Sequence, residues 1–214
     1  MDSFTLQAAL TTVTIEWLKN AVCSCSWKSK AAIVKETDGT DETLTLWTGR
    51  FLEIRRRESW EYVTRLNAHS VVAIAAVTCD NQFILIEQFR RAVGQSVIEL
   101  PAGLAGDDPG CSNEDPLLAA QRELLEETGF TSKRWTPILR GPSSAGLTDE
   151  IICLYLAEDA VRESAGGGVD SENITVHTIP LEQVEAWIDQ RSRLGALIDL
   201  KILSGLQCIQ RSRR

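Results

Sequence analysis

Glu123, Glu126 and Glu127 fall within five residues of one another, in a segment that reads as a helix from Pro116 to Thr128. Asp115 suits the cap and Pro116 the first helical position. Leu117, Ala120 or Gln121, Leu124 and Leu125 make an apolar stripe of 3.6-residue period, and Gly129 stands just past the end. On that helix Glu123 shares a face with both other acids through i,i+3 and i,i+4 spacing. The negative pole of the helix dipole disfavours an anion there by about 0.3–1 kcal/mol, and each like-charge pair by about 0.2–0.5 kcal/mol. The opposed electrostatics total roughly 1–3 kcal/mol. A helix built for stability would place Lys or Arg at that end. Two explanations compete: a solvated acidic face, or a seat for a cation held outside the helix. Hard oxygen donors select Mg²⁺ or Mn²⁺ for the second.

The surrounding elements must position these acids. Residues 1–40 form an N-terminal extension without a clean period, although Leu6 to Leu10 and Ile15 to Leu18 are compatible with a docked helix. Leu44, Leu46, Phe51 to Ile54 and Trp60 to Val63 predict a small β lobe over residues 41–66. Val71 to Val77 and Phe83 to Ile86 are apolar runs joined by Asp80-Asn81-Gln82, the pattern of a buried hairpin. Val97 to Leu100 is a short strand, and Leu104 to Asn113, rich in Gly, Asp and Pro, is expected to be loop. Strands at Ile151–Leu156 and Ile174–Ile179 flank a loop at Gly166-Gly167-Gly168, and helices are expected over Leu181–Gln190 and Leu194–Ile209. This order predicts an α+β mixed sheet covered by helices on both faces, within one domain spanning residues 67–214.

Composition narrows the function. The 214 residues hold 22 Lys and Arg against 30 Asp and Glu, a formal charge of −8. That balance disfavours an extended nucleic-acid or anionic-membrane surface, so an anionic substrate must meet local positive charge. The chain has no apolar run of about 18 residues, and Met1-Asp2-Ser3 opens without a basic region, so a cytoplasmic location is expected. The six cysteines include no C-x-x-C pair and read as reduced thiols, Cys23-Ser24-Cys25 being the one close pair.

Read outward, the acid helix gives Glu114, seven residues, Arg122-Glu123-Leu124, one residue, Glu126-Glu127, one residue, Gly129-Phe130. Upstream stands Glu99-Leu-Pro101-Ala102-Gly103. The pattern resembles the Nudix box, in the form used by the ADP-ribose pyrophosphatase branch. The likeness spans about residues 45–205 and includes Trp60-Glu61, Glu87-Gln-Phe-Arg90 and Ser144 to Glu150. The ten residues between Gly103 and Glu114 exceed the family spacing by five, a longer surface loop that leaves metal geometry intact.

The resemblance implies a Nudix α/β/α sandwich whose N-terminal β lobe is exchanged across a homodimer. It implies Glu123 and Glu127 as direct metal ligands, Glu126 as ligand of a second metal or partner to bound water, and Ala102 as ligand through its carbonyl. Arg122 would pair with Glu114. The loop before Ile174 stands where the family carries a catalytic glutamate, aligning Glu172 as base with Asp170 in reserve. Arg90 matches the phosphate-binding arginine, Arg65 a substrate contact near the dimer interface, and Trp60 a stacking platform for the nucleobase. By position alone Trp60 would equally suit a core. Ser144-Ala145-Gly146 departs from the branch's Ser-Pro-Gly, which bears on the choice of substrate and not on the metal site.

The implied activity is Mg²⁺-dependent hydrolysis of a small-molecule nucleoside diphosphate sugar, ADP-ribose first, to a nucleoside monophosphate and a sugar phosphate. The alternatives are a Nudix-fold sensor that binds such a ligand without cleaving it, or a hydrolase of another diphosphate, such as a dinucleoside polyphosphate or coenzyme A. His69 and His177 have no partner pattern and are assigned no role.

Overall fold

The run Val71 to Val77 becomes the centre of the molecule because it is apolar at every position, which suits a strand buried on both faces. In the computed structural model, which describes residues 42–106, 114–168 and 173–213, this strand is β4 (Ser70–Thr78). Its side chains alternate. Ala73, Ala75 and Val77 pack with Val184, Ile188, Ile202, Leu206 and Ile209 from two C-terminal helices. Val72, Ile74 and Ala76 pack with Ala119, Ala120 and Leu124 of the acid helix. The two-residue side-chain period therefore places helices on opposite faces, an α/β/α sandwich of α+β class. All the described residues belong to one compact unit, Asp41–Arg214.

Around β4 the strands β5 (Gln82–Arg90), β6 (Gln95–Glu99), β7 (Ala102–Ala105), β8 (Phe130–Thr131), β9 (Arg134–Pro142), β10 (Ile151–Arg162), β11 (Thr175–Pro180) and β12 (Leu197–Ile198) complete a nine-stranded mixed sheet. β10 runs parallel to β4, whereas β5 and β7 run antiparallel to it. The β4–β5 hairpin turns at Asn81, whose φ of 62° places it in the left-handed region that asparagine tolerates. Helix α1 (Pro116–Thr128) covers one face. Helices α2 (Val184–Arg193) and α3 (Lys201–Ser212) cover the other, and Gly205 lets α3 approach so closely that a Cβ there would lie 3.1 Å from that of Ala75.

The N-terminal lobe is a separate antiparallel sheet of β1 (Thr43–Thr48), β2 (Leu52–Arg57) and β3 (Trp60–Arg65). It is tied to the segment before β10: the Val63 N–H donates to the Leu147 carbonyl at 2.9 Å, and the Thr64 hydroxyl donates to Asp149 at 2.9 Å.

Several expectations are corrected. Leu104 and Ala105, expected in a loop, finish β7 by pairing with Val71 and Ser70. No strand was expected over Phe130–Thr131 or Arg134–Pro142. The latter is largely exposed, and Ile138 is the extra residue where Leu139 and Pro137 face consecutive residues of β10. Proline lacks a ladder donor and settles at such irregularities, which erased the strand signal. The helix expected to start at Leu181 begins with a 3-10 turn, Leu181–Gln183. That expected over Leu194–Ile209 starts only at Lys201: Gly195 (φ +91°) breaks the chain, Leu197–Ile198 joins β6, and Asp199 accepts the Lys201 N–H at 2.7 Å. His177 does have partners: its Nε2 lies 3.0 Å from Glu87 Oε2, which also accepts from Arg191 at 2.7 Å.

Among the described residues Cys79, Cys153 and Cys208 are free, and no helix is long and apolar enough to cross a membrane.

Candidate active site

Helix α1 is specified locally at both ends. Asp115 accepts the Leu117 N–H at 2.8 Å, Pro116 follows, and Gly129 at φ 73° donates its N–H to the Leu125 carbonyl. Leu124, fully buried, anchors the apolar stripe, worth about 1.5–3 kcal/mol relative to exposure. The acids therefore occupy a rigid element whose rotation about its axis is set by the core.

Their surroundings come from the turn after β6. The Ala102 N–H donates to Glu127 Oε2 at 2.9 Å, and Glu127 is 3% exposed. Gly103 lies against Glu123 so tightly that a Cβ would fall 2.0 Å from its carboxyl carbon. Only glycine lets the backbone approach that carboxylate. Ala102, Gly103, Glu123 and Glu127 thus come together where the start of β7 faces the last turns of α1.

Arg122 organises the rest. Its Nε and Nη2 donate to the two oxygens of Glu114, each at 3.3 Å, and Nη2 also reaches the Leu104 carbonyl at 3.1 Å. Its Nη1 donates to Glu123 at 2.9 Å and to Glu126 at 3.1 Å. Burial disfavours the charged guanidinium, but Glu114, Glu123 and Glu126 more than offset this and raise its pKa. The repulsion expected among the three acids is therefore partly relieved from within the helix, by a residue the sequence reading had paired with Glu114 alone. Three carboxylates thus share one guanidinium, and Glu127 adds a fourth acid held by the Ala102 N–H. Among the described residues, no three His, Cys, Asp or Glu side chains close on a single point as they stand.

Arg90, at the end of β5, forks onto Glu99 through Nε at 2.6 Å and Nη2 at 2.8 Å. Its pKa is raised by that hydrogen bond and, against partial burial, by the charges of Glu99 and Glu127. Arg65 is paired with Glu150 at 2.6 Å. Trp60 is 61% exposed and so is no core residue; its Nε1 donates to the Gly146 carbonyl at 3.2 Å. Glu172 and Asp170 lie outside the described residues. The loop that leads to them is anchored on the acid helix. The Gly167 N–H donates to the Glu127 carbonyl at 2.9 Å, the Gly168 N–H to the Glu126 carbonyl at 3.0 Å, and the Glu163 and Ser164 N–H groups to the Gly129 carbonyl. Sequence reasoning missed this strap and the Arg90–Glu99 fork, since neither partner is close in sequence to its mate.

With this geometry in place, comparison with known proteins is decisive: the NUDIX domain profile matches residues 68–197. The chain belongs to the Nudix family. Over 140 residues, 65% of this chain and 71% of each relative, it is 31% identical to the methanol dehydrogenase activator of Bacillus methanolicus and 33% identical to the ADP-ribose pyrophosphatase of Bacillus subtilis. A crystal structure of an ADP compounds hydrolase superposes with a TM-score of 0.59 at 20% identity, over 79% of this chain and 90% of that one, a likeness of fold. The acid helix, the turn at Gly103 and the glycine strap are therefore parts of a Nudix hydrolase.

Proposed function

We propose that this Nudix hydrolase cleaves the diphosphate of a nucleoside diphosphate sugar, ADP-ribose foremost, to a nucleoside monophosphate and a sugar phosphate, with Mg²⁺ or Mn²⁺. The observation that supports this most is the acidic cluster in which Glu114, Glu123 and Glu126 share Arg122, Glu127 takes the Ala102 N–H and Gly103 abuts Glu123, with Arg90 in the field of Glu127. An anionic substrate cannot approach such a cluster unaided, and hard divalent cations resolve that conflict.

The donor set fits such ions: every acid offers oxygen, and Gly103 lets the backbone come close to Glu123. Glu123 and Glu127, with Glu126 and the Ala102 carbonyl, would hold them once Arg122 Nη1 yields its bonds to Glu123 and Glu126. Bound there, the metal supplies the positive charge that neutralises a diphosphate and activates water. Arg122 keeps its hold on Glu114 and so fixes the helix while its other edge gives way. Arg90 takes a phosphate oxygen. Glu172, or Asp170 in its place, removes the proton of the attacking water from the loop that leaves the strap. Trp60 offers an exposed ring for the base, steadied through its bond to Gly146. ADP-ribose leads because a relative 33% identical is an ADP-ribose pyrophosphatase.

A homodimer is part of the proposal, acting in the cytoplasm on small molecules and not on nucleic acid or membrane. Leu44, Trp47, Leu52 and Ile54 share one face of the N-terminal sheet by register, and each is 38–56% exposed. A second copy covering that face suits such a patch.

Incubation with Mg²⁺ and a panel of ADP-, GDP- and UDP-sugars, followed by separation of products, tests the reading. Cleavage of ADP-ribose to AMP and ribose 5-phosphate is expected. Glu123→Gln is expected to cut turnover by about 100-fold or more while the circular dichroism spectrum is retained. An inert panel, or wild-type turnover in the variant, overturns the assignment.

A further inference from the structure

Arg90 stands out among the arginines around the site because its partner is almost wholly buried. Glu99 is 4% exposed, whereas the Arg90 side chain is 43% exposed. The pair lies on the α1 face: Glu99 alternates with Leu100 and Ile98, which enter the opposite core. The fork uses Nε and Nη2, so the Nη1 edge is turned away from Glu99. A guanidinium held by one edge keeps the other in a fixed plane, and a planar fork is what recognises phosphate oxygens.

The chain after Glu99 continues the argument. Three residues on, the Ala102 N–H is fastened to Glu127, and Gly103 abuts Glu123. Between them the Pro101 carbonyl accepts the Ile74 N–H of the central strand at 2.8 Å. The five residues Glu99 to Gly103 are thus fixed to Arg90 at one end, to the acids at the other and to β4 in the middle. Their length sets the separation between the cationic and the acidic halves of the site.

We infer that Glu99 is a positioning residue for hydrolysis: it orients Arg90 so that the guanidinium and the acid cluster grip one diphosphate at a fixed spacing. This rests on the reading of Arg90 as the phosphate-binding arginine. Glu99 touches no substrate and acts only through Arg90. A displacement of about 1 Å at such a group is enough to cost up to about 100-fold in rate.

The test is a double-mutant cycle on the full-length protein with ADP-ribose and Mg²⁺, using substitutions that preserve charge. Glu99→Asp withdraws the carboxylate by one methylene, and Arg90→Lys keeps the cation but removes the fork. Glu99→Asp is expected to lower kcat/KM by about tenfold or more, with the unfolding temperature near that of the wild type. In the Arg90→Lys background the same change is expected to cost less than about threefold, because no fork is left to orient. Equal losses in both backgrounds, or no loss in the first, overturn the inference. Arg90→Lys with wild-type kcat/KM would instead overturn the phosphate-binding role of Arg90, and the inference with it. If Glu99→Asp does not fold, Glu99→Gln keeps the length with a weaker acceptor and is judged by the same criteria.

Discussion

Gly103 has no side chain, yet it decides where the Glu123 carboxylate can be. A methyl group there would overlap that carboxyl at 2.0 Å, and the neighbouring Ala102 N–H is committed to Glu127, so the backbone cannot retreat without releasing a second acid. Gly103→Ala is therefore expected to lower activity by about tenfold or more, by moving Glu123 off its position. Steady-state kinetics beside thermal unfolding check it, and unaltered kcat/KM would contradict the close approach. Glu114 makes a different prediction. Burial pushes its carboxyl up, but hydrogen bonds from Arg122 and the Gly106 N–H, with the guanidinium's charge, bring it below its ordinary value. A depressed folded pKa contributes stability above the unfolded carboxylate range and loses it as the pH falls through the folded value. Glu114→Gln should thus cost on the order of 1 kcal/mol at pH 7, and its gap to the wild type should close below about pH 4. Urea midpoints over that range measure this; a gap constant with pH would argue against it. The acids themselves were legible in the sequence because i,i+3 and i,i+4 spacing is geometry. The Glu99 fork was not, since it joins residues nine apart through a hairpin whose register no composition rule supplies.

At the scale of elements, helix α1 was the most legible part of the chain. Asp115, Pro116 and Gly129 each answer a separate stereochemical need, and the expected and observed limits coincide. β9 was the least legible: its side chains are mostly exposed, so no burial pattern marks it, and Pro137 argues against a strand. The Leu194–Lys201 stretch misled for the opposite reason: it is apolar enough for a helix, but Gly195 at φ +91° turns it back toward β6. The glycine run at 166–168, expected as a loop, has a fixed structural role. Gly166 sits at φ +69°, and a Cβ there would fall 2.3 Å from the Thr128 carbonyl carbon. Gly167, also at positive φ, has only the Ile174 carbonyl oxygen near its missing Cβ, at an ordinary contact distance of 4.0 Å. Gly166→Ala is expected to destabilise by about 1–3 kcal/mol and to reduce turnover, whereas Gly167→Ala should incur the backbone term alone. Chemical denaturation of the two variants, compared side by side, would show it; equal losses would mean that the contact with Thr128 is slack.

Across the whole molecule, a chain of formal charge −8 gathers Glu114, Glu123 and Glu126 on one arginine and holds Glu127 on the Ala102 N–H where α1 faces β7. The folded state should therefore bind divalent cations far better than the unfolded chain does. At about 100-fold excess over the dissociation constant, Mg²⁺ would stabilise by about 2.7 kcal/mol, raising the unfolding temperature by about 5–10 °C. Chelation should reverse the shift, and Glu123→Gln should show little of it; differential scanning calorimetry with and without Mg²⁺ decides. Both helical layers were foreseeable from strands that are apolar on both faces, but the strap across the end of α1 was not, since it depends on backbone groups and not on side-chain chemistry.

Helices tend to unravel from an open end, where the final carbonyls have nothing to hold them. In this molecule the carbonyls of Glu126 and Glu127 in the last turn, and that of Gly129 just past it, are bound by amides of residues 163–168. The same amides put their partial positive charge where the dipole and the acids concentrate negative charge. The stretch that departs toward Glu172 is thus sewn to the turn bearing the carboxylates, and neither can loosen without the other.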